Sequence, residues 1–263
     1  MTYRCLVVGD IHCGSVVAPW PTGVSFPDGG AYKPSKYQRW LNKCWDHLLE
    51  DVKGQSIDSV VVMGDALDGD NPRSSLVTDR ADCQIAAAVE LLTPIREKTD
   101  NFYMIAGTTY HVGKGAQYET SIARELDAVV HPETKHPVWP FLLKDLGGVV
   151  THFAHHIGTV RNNRYEPAAL WGALINITSE YAYAYGRIAP RIECIVRAHR
   201  HRMIHVEKGH LNAVAVCGWQ LHTDFSLKVA GESVPEIGYA WLEVDDKLRV
   251  RQVSFRQPLP HVE

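Results

Sequence analysis

Five short stretches carry acids and imidazoles where apolar runs end: "GDIHCG" at 9–14, "GDALDGD" at 64–70, "AGTTYHVGKG" at 106–115, "HFAHH" at 152–156 and "AHRH" at 198–201. In extended backbone, residues two apart project to the same side. On that basis Asp10 with His12, and His199 with His201, can each reach a single ion. Asp65 directly follows an apolar run and is the candidate to bridge two ions, and Thr108, Thr109 and His111 crowd a third strand exit. Mixed carboxylate and imidazole donors suit Mn, Zn, Fe, Ni or Co better than Mg or Ca. Two such ions held close together are a known means of hydrolysing phosphate esters by in-line displacement. Fourteen histidines in the chain, several of them at these strand ends, make metal ligation the leading chemistry.

Positioning such groups requires a sheet whose strands end together. "RCLVV", "SIDSVVVMGD" and "NFYMIAG" read as buried strands, separated by the amphipathic helices "YQRWLNKCWDHLLEDV" and "DRADCQIAAAVELLTPI". This alternation predicts parallel pairing with helices packed on the sheet, and ligands then bind beyond the carboxyl ends of the strands. "GVVTHFAH" and "IECIVRAH" flank a long helical run, and the short runs from "RMIHVEKG" to "LRVRQVSF" predict an antiparallel second sheet. The expected class is α/β, with two sheets and flanking helices in one domain over 1–263. Residues 15–35, rich in Pro and Gly, form a loop insertion expected to wall or lid the site.

Composition narrows the function classes. A net charge of -3 supplies no field for non-specific nucleic-acid binding, so contacts with nucleic acid would have to be local. No apolar run approaches the length of a bilayer span, and six cysteines without a CxxC pair suit reduced thiols in a cytoplasm. Oligomeric state is open.

The order of the five stretches resembles the calcineurin-like metallophosphoesterase superfamily, whose pattern runs DxH, GDxxD, GNH(D/E), H and GHxH. "GSVV", "YQRWL", "GDALDG" and "AHHIG" are similar to a subgroup common in bacteriophage genomes. The resemblance implies a mixed two-sheet sandwich in four αββα layers and two divalent transition ions, manganese favoured over Ni, Co, Fe or Zn. It implies Asp10, His12, Asp65 and His201 around one ion, with Asp65 bridging to a second held also by Thr108, His155 and His199. His111 would contact the phosphate and protonate the leaving oxygen, with Asp68 orienting it. Thr108 stands where the family places an Asn, and His111 follows Gly107 by four residues where the family has two. A hydroxyl is a weaker ligand than an amide oxygen, which implies a less tightly held second ion or an intervening water.

The activity expected is hydrolysis of a phosphate diester by a metal-bound hydroxide. Protein phosphatases of the superfamily carry arginines in "GDxVDRG" and "RGNHE" that are absent here, which favours a small diester or a nucleic acid strand as substrate. Phosphomonoester hydrolysis, nuclease action and a binding scaffold that has lost the chemistry are the competing functions. Arg161, Arg164, Asn71, Arg73 and His156 are candidates for gripping substrate, each against the simpler reading of a solvated loop residue or, for His156, a strand cap. The location implied is cytoplasmic, that of the host if the chain is phage-encoded.

Overall fold

The computed structural model describes residues 2–72, 74–157, 166–230 and 233–257. Strands β1 (Tyr3–Val8), β2 (Ser59–Val62), β3 (Phe102–Ile105) and β4 (Val138–Trp139) lie side by side in parallel. Helices α1 (Lys36–Lys53) and α2 (Ala81–Arg96), a single turn α3 (Thr109–Val112) and α4 (Gln117–Glu125) make the crossovers. The second sheet holds β5 (Leu142–Asp145), β6 (Val150–Phe153), β7 (Ile192–Arg197), β8 (Ile204–Lys208) and β9 (Leu211–Ala215) in the order β5-β6-β7-β9-β8. Its outer face is covered by α5 (Glu166–Tyr185), and a short α6 (Asp224–Ala230) precedes β10 (Ile237–Val244) and β11 (Leu248–Phe255).

The expected two mixed sheets flanked by helices are present, with one difference in assignment. The late runs do not form one antiparallel sheet: β10 and β11 pair antiparallel onto the free side of β1, while β7 and β9 are parallel neighbours in the other sheet. The reason is legible in β10, which is apolar on both faces. Tyr239 and Trp241 pack toward the helices of the first layer, whereas Ala240, Leu242 and Val244 pack between the sheets. A strand that buries both faces belongs inside a sandwich beside another such strand, not at a solvent edge.

Alternation builds the layers. Cys5 and Val7 of β1, with Val61, Tyr103 and Ile105 from its neighbours, face Phe153, Cys194, Val196 and Val214 across the inter-sheet core. Leu6, Val8, Val60 and Val62 face the other way, onto Leu41, Trp45, Leu48 and Val52 of α1 and onto α2. A capping box fixes the start of α1, with Ser35 Oγ accepting from Gln38 N and Gln38 Oε1 accepting from Ser35 N. The 15–35 segment is pinned to this helix. Asn42 brackets both backbone groups of Trp20, whose ring is fully buried, and no residue of the segment lines the cavity described below. Its buried apolar residues pack against the core beside this helix.

Among the described residues, no helix is long and apolar enough to cross a membrane. All six cysteines are buried free thiols.

Candidate metal centre

The carboxyl ends of β1, β2, β3, β6 and β7 meet at one edge of the sandwich, and the motif residues lie in the loops just beyond them. They do not lie on extended backbone as the two-apart spacing suggested. Among the described residues eight non-glycine residues have positive φ, and five of them are Asp10, His12, Asp65, His199 and His201, at 50°, 52°, 50°, 73° and 48°. Left-handed backbone costs such residues on the order of 1 kcal/mol or more each and persists only where surrounding contacts hold it. Those contacts are present. Asp10 N donates to Gly64 O, His12 N to Asp65 O and Trp219 N to Asp10 O, all within 2.8–2.9 Å. The chain packs so closely that a Cβ on Gly218 would come within 2.9 Å of Asp10 Cβ, and one on Gly107 would overlap the Asp65 carboxylate.

The side chains then converge. Asp10 is fully buried; its Oδ2 accepts the His199 amide at 2.9 Å, while Oδ1 has no hydrogen-bond partner among the described residues. That oxygen faces three imidazole nitrogens: His201 Nε2 at 3.6 Å, His155 Nε2 at 3.9 Å and His12 Nε2 at 4.0 Å. Each of these rings has its other nitrogen engaged, with Asp68 Oδ1 at 3.1 Å from His12 Nδ1, Met63 O at 2.6 Å from His155 Nδ1 and Gln220 O at 3.4 Å from His201 Nδ1. Holding Nδ1 fixes the tautomer and presents the Nε2 lone pair, the usual way a protein prepares a metal-ligating histidine. Donors sharing one ion at ~2.1 Å lie roughly 3–3.5 Å apart. The observed spacings are a little wider, and a buried carboxylate oxygen without a partner is costly unless a cation meets it. The donor set therefore fits a divalent ion.

A second group adjoins the first. Asp65 Oδ2 lies 3.0 Å from His155 Nε2 and 4.0 Å from His199 Nδ1. Thr108 Oγ1 sits among them, 3.1 Å from Asp65 Oδ2, 3.2 Å from His155 Nε2 and 3.2 Å from His199 Nδ1. His155 joins the two groups, its Nε2 lying 3.9 Å from Asp10 Oδ1 and 3.0 Å from Asp65 Oδ2. Thr109 and Tyr110, just before His111, open the turn α3, for which Thr108 is the N-cap residue, with His111 N donating to Thr108 O at 2.8 Å. This turn brings His111 Nδ1 to 3.1 Å from Asp68 Oδ1. One carboxylate thus holds both His12 and His111, and Gln220 Nε2 donates to the same oxygen at 3.3 Å.

The buried acids and the facing imidazoles shift one another's protonation. Burial alone would raise Asp10, Asp65 and Asp68, yet the facing histidines hold all three below the ordinary carboxylate range. Burial opposes charge on His155 and His111 too, but Asp65 and Asp10 lift His155 to about 10, and Asp68 with Asp65 lifts His111 to about 9. His199 is depressed to about 4, by burial first and then by His155. Its neutral ring is ready to donate a lone pair.

The cluster forms the floor of a cavity of about 390 Å³. His12, Asp65, Thr108, His111, His199 and His201 line it, and so does Asn71, whereas His156 is exposed beside the rings of His155 and His199. Arg73, Arg161 and Arg164 lie outside the described residues. The fold adds groups the sequence reading missed: Arg200, Arg202, Tyr110, Gln220, His222 and Phe225 in the wall, and the buried Glu119 behind the floor. Glu119 accepts from Ala66 N at 3.3 Å and Gly107 N at 2.9 Å, stapling the Asp65 loop to the Thr108 loop, and burial followed by the nearby Asp65 pushes its carboxyl up to about 7. The arginines were visible in "AHRHR", alternating with the histidines. Nothing in the local sequence marks Glu119 or Gln220.

No family model matches the chain, and no curated protein matches it. Solved structures resemble it in outline. A conserved uncharacterized protein from Streptococcus pneumoniae, described as a predicted phosphoesterase, is 12% identical, with 97% of this chain and 90% of that chain covered and a TM-score of 0.43. An archaeal phosphodiesterase is 9% identical over 96% and 99% of the two chains, with a TM-score of 0.45. Vps29 of Entamoeba histolytica, solved with zinc, is 13% identical over 96% and 99%, with a TM-score of 0.44.

Proposed function

We propose that the protein is a metal-dependent hydrolase of phosphate diesters, of the calcineurin-like metallophosphoesterase kind, working with two divalent transition ions. The observation that carries this reading is the partnerless buried Asp10 Oδ1 facing three Nε2 atoms whose rings are each tethered through Nδ1. Asp10, His12 and His201 would hold one ion; Asp65, Thr108, His155 and His199 would hold the other. Bound there, such ions would supply polarisation of phosphoryl oxygens and a lowered pKa for water, the chemistry ester hydrolysis needs.

The chain's own residues supply the rest. His111 lines the cavity and keeps Nδ1 on Asp68, leaving Nε2 as the nitrogen that gives its proton to the departing alkoxide. Asp68 steadies the imidazolium before transfer and fixes the ring afterwards. Arg200 in the cavity wall meets the anionic phosphate.

No arginine stands within the second and third motifs, which favours a diester, and the fold brings two from the fifth. Arg202 Nε lies 3.6 Å from Glu166 and 3.8 Å from Glu236, so its charge is already shared by two acids. Arg200 is the observation that favours the second reading, hydrolysis of a phosphomonoester dianion. Rates of the metal-loaded protein on bis(p-nitrophenyl) phosphate and p-nitrophenyl phosphate separate the two. A faster diester rate supports the proposal, and a strong monoester preference overturns it in favour of the second reading.

A further inference from the structure

The two donor groups differ in kind. Around Asp10 Oδ1 each imidazole is tethered and the most exposed, His201, has a side chain 17% exposed, whereas the group around Asp65 includes His199, whose side chain is 39% exposed. That outer group has a neutral hydroxyl, Thr108 Oγ1, among its donors. A hydroxyl is a weak ligand, and one carboxylate oxygen with two imidazoles leaves a transition ion short of strong donors.

His156 stands where that shortfall is met. It follows His155 in the loop after β6, and His199 arrives from the loop after β7. The His156 ring centroid lies 4.5 Å from that of His199 and 4.7 Å from that of His155. One ligand nitrogen from each of the three rings falls within 4.8 Å of the others. The ring planes meet at 82° and 68°, edge toward face, so the trio is not a stack. An exposed imidazole has open solvent available, yet this one is directed at two others beside a buried carboxylate. Its side chain is exposed and belongs to none of the apolar cores that packing builds.

We infer that His156 is a ligand of the outer cation, making that site a three-imidazole site with Asp65 as its carboxylate. The inference rests on the two-cation reading above and adds a selectivity to it. Three nitrogen donors favour zinc, cobalt or nickel over manganese or magnesium, following ligand softness and the rise in affinity along the first-row series. The inner group, with its carboxylate and the two rings of His12 and His201, has fewer nitrogen donors and so a weaker bias of that kind. The two sites of one molecule would then differ in metal as well as in tightness.

Cobalt titration of the chelator-stripped chain, followed by visible ligand-field absorption and by equilibrium dialysis, tests this without reference to catalysis. The wild type is expected to take two ions per chain in two phases. His156→Ala is expected to keep the tight phase and weaken the other by at least about 10-fold, the lower bound for losing even an indirect partner of a metal. His156→Gly with added imidazole should recover the second phase, which a general effect on folding would not allow. Manganese should compete poorly for that phase in the wild type and zinc strongly. Two unchanged phases in His156→Ala would overturn the inference and leave the two-cation reading standing; fewer than two ions in the wild type would overturn that reading itself.

Discussion

Asp68 is the residue on which two functions converge, since one of its oxygens holds both His12 and His111. Asp68→Ala is therefore expected to weaken cation binding by about 10- to 100-fold, as loss of a ligand's supporting partner does, and to slow turnover as well. His111→Ala should leave cation affinity intact and lower kcat by about 10²–10⁴, the range for a lost general acid. Metal titration alongside steady-state kinetics separates the two variants; equal cation affinity in Asp68→Ala and wild type would show that His12 does not depend on this carboxylate. The types and order of the acids and histidines were enough to nominate nearly every one of these side chains. What they could not reveal was the partnership: that Asp68 serves two rings, or that Asp10 Oδ1 faces three. Asp68 and His12 stand 56 residues apart, and only the fold sets which atom of one meets which atom of the other.

Loops between elements carry the next level of constraint. The Thr108 loop presses on the Asp65 loop with nothing but Gly107 between them, and a Cβ there would overlap both the carboxylate and the backbone of Asp65. Gly107→Ala is expected to cost about 1–3 kcal/mol, the range for forced overpacking, and to disturb the outer donor group. Gly54→Ala is the matched control: it closes α1 at φ -83° in open space and should be neutral or slightly stabilising. Thermal unfolding of both variants checks the pair, and similar melting temperatures for them would refute the close-packing account. At this scale, strands and helices with clear periodicity were legible, including β1, β2, β3, α1 and α2. The placement of β10 was not, because a short apolar run does not declare which sheet it enters, and two-faced burial becomes visible only when both cores exist. The turn α3 was hidden for a related reason. A four-residue turn has no period to detect, yet it accounts for the two residues that separate Thr108 from His111.

For the whole molecule, the first layer is clasped far from the site. Asp51 on α1 accepts from Tyr239 Oη at 2.8 Å, Trp241 Nε1 at 2.9 Å and the Arg251 guanidinium at 3.1 Å, joining the helix to β10 and β11. Burial would raise its pKa, but these donors bring it below the ordinary aspartate value. A group depressed on folding adds stability above its unfolded pKa and loses it as pH falls through the folded one. The melting-temperature gap between wild type and Asp51→Asn should be full at neutral pH and shrink as pH drops below about 4; a gap independent of pH would contradict the clasp. The same four layers that this clasp helps hold bring five loops to one edge, and the account stands or falls on what that edge binds. The direct measurement is metal content and bis(p-nitrophenyl) phosphate hydrolysis together, on chelator-stripped protein supplied with Mn, Co, Ni, Zn or Mg one at a time. The prediction is an inactive stripped protein whose activity returns with a transition ion as content rises toward two per chain, while Asp10→Asn recovers neither. Full hydrolysis by the stripped protein, or by Asp10→Asn, would contradict it.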